Sequence, residues 1–195
     1  MTNPLAVIKN QVGTKAGVLN GSLVRVFECD ADRGTARVVG SDSLAALYGT
    51  SKFYIKQENL QLVTTGERLL GPMTIKLNDW GVLNEVERVS LVRNTLKNSK
   101  SEFYEDFEGY IIKPQSMALL TAFIEKTAER KATHNHYGSK AIFEELRWHT
   151  ELKDGCALFK VNNNYTASLS RLVEEMIPET YGFFFKRELK LVGAA

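Results

Sequence analysis

Apolar and polar residues alternate with period two from Ser22 to Cys29, the pattern of a half-buried strand. Asp30 to Gly34 follows with hairpin-turn chemistry, and Thr35 to Val39 reads as the return strand. Leu44 to Tyr48 predicts one helical turn closed by Gly49. Phe53 to Ile55 is a third strand, Gln57 to Asn59 a turn, and Leu60 to Val63 a fourth strand. Before this array, Gly13 and Gly17 break up residues 1–20, where Leu5, Val7 and Val12 suit an edge strand or a short helix.

The rhythm changes after residue 64. Leu69-Leu-Gly-Pro72 signals a turn, and Met73 to Leu77 alternates as a strand. Asn84-Glu-Val-Glu87 has the form of a capping box, and Val86, Val89, Leu91, Val92 and Leu96 continue it as a helical stripe. Residues 102–113 are aromatic and acidic and read as irregular, with a short strand at Tyr110 to Ile112. Pro114 opens a helix to about Ala132, with Met117, Leu120, Phe123 or Ile124, and Thr127 on one face. Ser139 suits the cap of a second helix carrying Ile142, Phe143, Leu146 and His149. Ala157 to Val161 is a short strand, and Asn162 to Asn164 cap a third helix. In that helix Leu169, Leu172, Val173 and Met176 recur at i, i+3, i+4 and i+7 until Pro178 stops it. Phe183 to Leu189 reads as a last strand.

The fold class expected is α+β, with a small SH3-like β-barrel in residues 1–65, a connecting strand and helix in 66–113, and a helix-rich, winged-helix-like domain in 114–195. Gly21-Ser-Leu-Val-Arg-Val, Gly34-Thr-Ala-Arg-Val-Val and Tyr54 to Val63 resemble the strands of SH3-like barrels of the KOW or Tudor kind. That resemblance covers about a quarter of the chain and implies a binding module for RNA, DNA or protein. Ala141 to Trp148, Phe159 to Tyr165 and Gly182 to Arg187 resemble a segment found in phage and prophage proteins of unassigned function. This second resemblance implies a phage or mobile-element origin and no particular activity.

Composition narrows the classes further. Of 195 residues, 44% are hydrophobic and 25% charged, which suits a packed core. The net charge is only +2, with 7 basic against 5 acidic groups in 1–65, 7 against 8 in 66–113 and 11 against 10 in 114–195. Such balance argues against tight non-specific grip on duplex DNA. No apolar run is long enough for a membrane helix, and the first residues lack a secretory-signal pattern. Cys29 and Cys156 have no CxxC spacing, and a reduced pair is expected over a disulfide. A cytoplasmic location follows as the expectation, in the host cytoplasm for a phage product.

Candidate chemistry points to binding more than to catalysis. Phosphate-loop, nucleophile-elbow and HExxH motifs are absent, though carboxylates dispersed along the chain leave no such signature. The reading is a non-enzymatic nucleic-acid-binding protein without cofactor, serving transcription, replication or genome handling. DNA is favoured over RNA. The helix starting near Tyr165 is the expected reader, with Asn163, Asn164, Thr166, Ser168 and Arg171 reaching bases or phosphates and Lys186 and Arg187 on a wing. Against it, Glu174 and Glu175 share that helix. The barrel supplies a second surface of Arg25, Arg33, Arg37, Lys52 and Lys56, with Tyr48, Phe53 and Tyr54 as stacking candidates. Structural packing accounts for the same residues as caps, core aromatics and a solvated face. The competing class is a protein-binding module acting on a host protein, with an exposed apolar patch from Phe103, Tyr104 and Phe107. His134, His136, His149 and Cys156 match no standard zinc spacing.

Overall fold

A computed structural model describes residues 3–12, 16–65, 68–69, 73–154 and 165–185. Its fold is α+β, an antiparallel sheet followed by helices. Strands β1 (Leu5–Ile8), β2 (Leu23–Asp30), β3 (Thr35–Gly40), β4 (Lys52–Lys56) and β5 (Leu60–Leu62) form one five-stranded sheet in the order β4-β3-β2-β1-β5. A short helix α1 (Ala16–Leu19) precedes β2, and α2 (Asp42–Tyr48) links β3 to β4. A 3-10 turn, Gln57–Asn59, leads from β4 into β5. The small hairpin β6 (Thr64–Thr65) and β7 (Arg68–Leu69) follows. Among the described residues no ladder joins β4 to β5, so the sheet is open and the closure expected of a barrel is not observed.

β1 is not the edge expected of it but lies between β2 and β5. Both of its faces are apolar: Leu5, Ala6 and Ile8 are all fully buried, with a core on each side of the strand. Val12, at 95% exposure, lies beyond the strand. Alternation then sorts the sheet residues into two cores. Ala6, Ile8, Val24, Val26, Val38 and Phe53 pack together, with Leu44 of α2 closing that side. Leu5 and Leu23 point the other way and join the core of the helical part.

Local signals place the turns. Asp30 accepts a hydrogen bond from the Arg33 amide at 3.0 Å and shapes the β2–β3 hairpin. Gly49 ends α2 at φ +69°, a left-handed conformation that favours glycine.

The helical part consists of a 3-10 turn at Leu77–Val82, α3 (Glu85–Asn98), α4 (Phe107–Ile111), α5 (Pro114–Lys131), α6 (Ser139–Asp154) and α7 (Thr166–Met176). The capping box at the start of α3 forms as expected: Asn84 accepts from the Glu87 amide, and Glu87 accepts from the Asn84 amide. Its stripe is displaced, however, because Val86 is 52% exposed while Glu87 is fully buried. The strand expected at Met73 to Leu77 does not form. Ile75 and Leu77 do alternate inward, yet the Ile75 amide donates to the Met176 carbonyl at the end of α7 and no strand pairs there. The strand expected at Tyr110 to Ile112 is instead helix α4, whose Phe107 and Ile111 stand at i, i+4 and are both fully buried.

Residues 77–111 are therefore part of the core itself. Trp80, Leu83, Leu91, Val92, Phe107 and Ile111 share one buried cluster with Leu5 and Leu23 of the sheet and with α5 and α7. In that cluster Phe123 of α5 stacks on Phe143 of α6 at 4.9 Å and contacts Phe184 at 5.4 Å. The expected strand at Ala157 to Val161 lies outside the described residues, as does the end of the one at Phe183 to Leu189. Of the latter, Phe184 makes a single parallel bridge to Tyr137.

Candidate nucleic-acid interface

The expected reader helix is α7, and most of its described residues are packed. Leu169, Leu172, Val173 and Met176 are buried as the periodicity requires, but so are Ser168, Ser170 and Glu174. The Ser168 hydroxyl accepts the Tyr104 amide at 3.1 Å. Arg171 donates to the Glu102 carbonyl at 3.2 Å, and Thr166 is half-buried. Tyr165, just before the helix, stacks on Tyr110 at 4.2 Å. Segment 102–111 thus covers the N-terminal half of α7, leaving little of it to enter a groove. Small serines flank the apolar stripe where neighbours approach closely. Asn163, Asn164, Lys186 and Arg187 lie outside the described residues.

Of the expected apolar patch, Phe107 is fully buried, Phe103 is half-buried and stacks on it at 5.6 Å, and Tyr104 is 49% exposed and meets Tyr165 edge-on at 5.5 Å.

Arg25 is likewise committed internally. Its guanidinium forms a bidentate ion pair with the fully buried Glu87 carboxylate. It also donates to the carbonyls of Asn3 and Val82, each at 3.0 Å. Every one of these partners is satisfied inside the protein, so Arg25 fastens the sheet to α3 and the turn before it. Its sequence position on an outward strand phase gave no sign of this, because Glu87 is 62 residues away.

What remains open is the far part of the same sheet face. Across β2, β3 and β4, Glu28 pairs with Arg37 and Arg37 with Tyr54; one row on, Arg25 pairs with Val39 and Val39 with Lys52. Between these rows β2 shifts register at Val26/Glu28, so Phe27 is the extra residue of a bulge. The bulge turns Phe27 outward at 49% exposure, where the Lys52 ammonium lies 5.9 Å from its ring centre. Tyr54 is 64% exposed on β4. Arg37 and Lys52 thus lie among two open rings, with Lys56 next along β4. Two acids temper the charge: Glu28 is 3.9 Å from Arg37, and Glu58 is 3.5 Å from Lys56. Of the other expected stackers, Phe53 is core, and Tyr48 lies flat on it at 4.2 Å. Phe27 is the residue the sequence reading missed; a large apolar side chain out of phase with inward Val24 and Val26 was the available signal.

A second polar region lies where the sheet meets the helical part. Two adjoining clefts of about 250 and 220 Å³ share Ser41, Ser43 and Asn78. Beneath them Asp79 is 1% exposed, and burial pushes its carboxyl up to about 6 despite hydrogen bonds from the Leu23 amide and Ser41. Lys76 above it donates to the Val18 carbonyl and to Ser22. These bonds tie β2 and the loop before α2 to the 3-10 turn. Among the described residues no group of three or more potential ligands gathers to hold a metal ion. His134 bonds within its own turn, and His136 contacts the Gly182 carbonyl at 2.9 Å.

Comparison of the chain with protein-family models, curated proteins and solved structures found no match. Among the described residues no helix is long and apolar enough to cross a membrane.

Proposed function

We propose that this is a non-catalytic nucleic-acid-binding protein of a phage or mobile element, and that it binds through the open sheet face of β2, β3 and β4. The observation that carries the reading is the pair of exposed rings, Phe27 and Tyr54, interleaved with Arg37 and Lys52 on one strand surface. Large aromatics on strands are normally retained for packing, so leaving two of them in solvent beside cations favours a ligand with π-faces and phosphates. The sheet is read as an SH3-like module. Its strand order and the 3-10 turn before β5 support that, since this arrangement brings the last strand back beside the first. The interface moves from the α7 helix to the sheet because α7 is packed on most sides.

The test is fluorescence-anisotropy titration of labelled duplex DNA, single-stranded DNA and RNA at two salt concentrations. The expected result is salt-sensitive binding of at least one probe. Arg37→Ala with Lys52→Ala should weaken it and flatten the salt slope by about 1.4 to 1.8 for two lost phosphate contacts. Arg171→Ala should leave it unchanged. Absence of binding to all three probes at low salt, or indifference to the Arg37/Lys52 double substitution, overturns the proposal.

A further inference from the structure

We infer that the ligand of this face is single-stranded nucleic acid, held by one base on Phe27 and another on Tyr54, with duplex a poor substitute. The inference rests on the nucleic-acid reading above and deepens it. Phe27 is on β2 and Tyr54 on β4, with β3 between them. Two inter-strand spacings separate their strands by roughly 10 Å. Arg37 of β3 occupies the gap, directly beside Tyr54 in the pairing register. Phe27 is the unpaired bulge residue beside the Glu28–Arg37–Tyr54 row, and the Lys52 ammonium lies 5.9 Å from its ring centre.

Base stacking needs an accessible π-face. In a duplex those faces are covered by neighbouring base pairs, and sequence is read instead by an element inserted in a groove. The open surface here is the face of a sheet. Its cations are too few, and Glu28 and Glu58 too close to them, for phosphate neutralisation to hold a duplex. An unstacked strand meets both requirements, because bases lie on the rings while the intervening phosphate meets Arg37.

The experiment is an anisotropy titration of a labelled oligothymidine of about 15 nucleotides against a duplex of the same length, in moderate salt. The wild type should bind the single strand at least about ten-fold tighter than the duplex. Phe27→Ala and Tyr54→Ala should each weaken single-strand binding by about five-fold or more, the range expected for losing one stacked base. Tyr54→Phe, which retains the ring, should bind as the wild type does, and substitution at both exposed positions should leave the circular-dichroism spectrum unchanged. Equal or tighter duplex binding, or ring substitutions without effect, overturns this inference and leaves the nucleic-acid reading standing. Failure to bind either probe at low salt overturns both.

Discussion

Replacing Arg25 isolates the joint between sheet and helices. Glu87 is fully buried, and the Arg25 side chain is only 16% exposed. In Arg25→Met the carboxylate keeps its bond from the Asn84 amide but loses its counter-ion, and the Val82 and Asn3 carbonyls lose a donor. Stranding one member of a buried pair typically costs about 3–5 kcal/mol. Glu87→Gln leaves the volume and a cap acceptor in place, so it removes charge without emptying the site. Joined to Arg25→Met, it should restore part of the loss, with a coupling of about 0.5–3 kcal/mol. Arg37→Ala is the surface control. Its 3.9 Å contact with the 70% exposed Glu28 should be worth at most about 1 kcal/mol. Urea unfolding followed by far-ultraviolet circular dichroism measures the four variants against the wild type, with m-values checked for constancy. The clamp is refuted if Arg25→Met costs less than about 1 kcal/mol, or if the two substitutions simply add.

Two further substitutions probe other parts of the fold. The Asp79 carboxyl sits above its unfolded value because burial favours the neutral form. The folded protein therefore holds that proton more tightly, and the stability it contributes is present below about pH 4 and is lost as pH rises through about 6. Asp79→Asn should remove about 3 kcal/mol of that pH dependence, seen in wild-type minus variant urea midpoints from pH 4 to 7; parallel curves would refute it. Gly49→Ala forces a Cβ into φ +69° in otherwise open space, so it should lower stability by about 1 kcal/mol and the melting temperature by about 2–4 °C. Gly81→Ala, open and without positive φ, should not; equal losses would show that space and not conformation sets the cost.

Whatever is encoded within a few residues was legible. The β2–β3 hairpin, Gly49 after α2, the Asn84/Glu87 capping box, Pro114 at the first turn of α5 and the α7 stripe all form as read, because each depends on local geometry. Misreadings arose where a distant partner decides. Alternation at Met73 to Leu77 reports burial correctly but cannot say that the partner is the end of α7. Arg25 reads as an exposed strand cation until Glu87 is brought against it. Ser168 reads as a polar contact residue until the Tyr104 amide covers it. For the candidate site, Arg37, Lys52 and Tyr54 were visible as outward strand positions. The bulge that adds Phe27 depends on how β2 and β3 pair.

The same geometry bears on the tension between a nearly neutral chain and the proposed nucleic-acid ligand. Glu87 and the Val82 carbonyl cover one end of the sheet face and remove Arg25 from it. The open end keeps Arg37 and Lys52, enough for about two phosphate contacts. On a single strand two contacts give a salt slope of about −1.4, so affinity falls only about seven-fold between 50 and 200 mM salt. A duplex binder with six to ten contacts loses about 10³ to 10⁵ over the same range. Stacking on two rings is worth about 1–3 kcal/mol per base and depends far less on salt. In the proposed complex the rings outweigh the cations, and a net charge of +2 then places no bar on it.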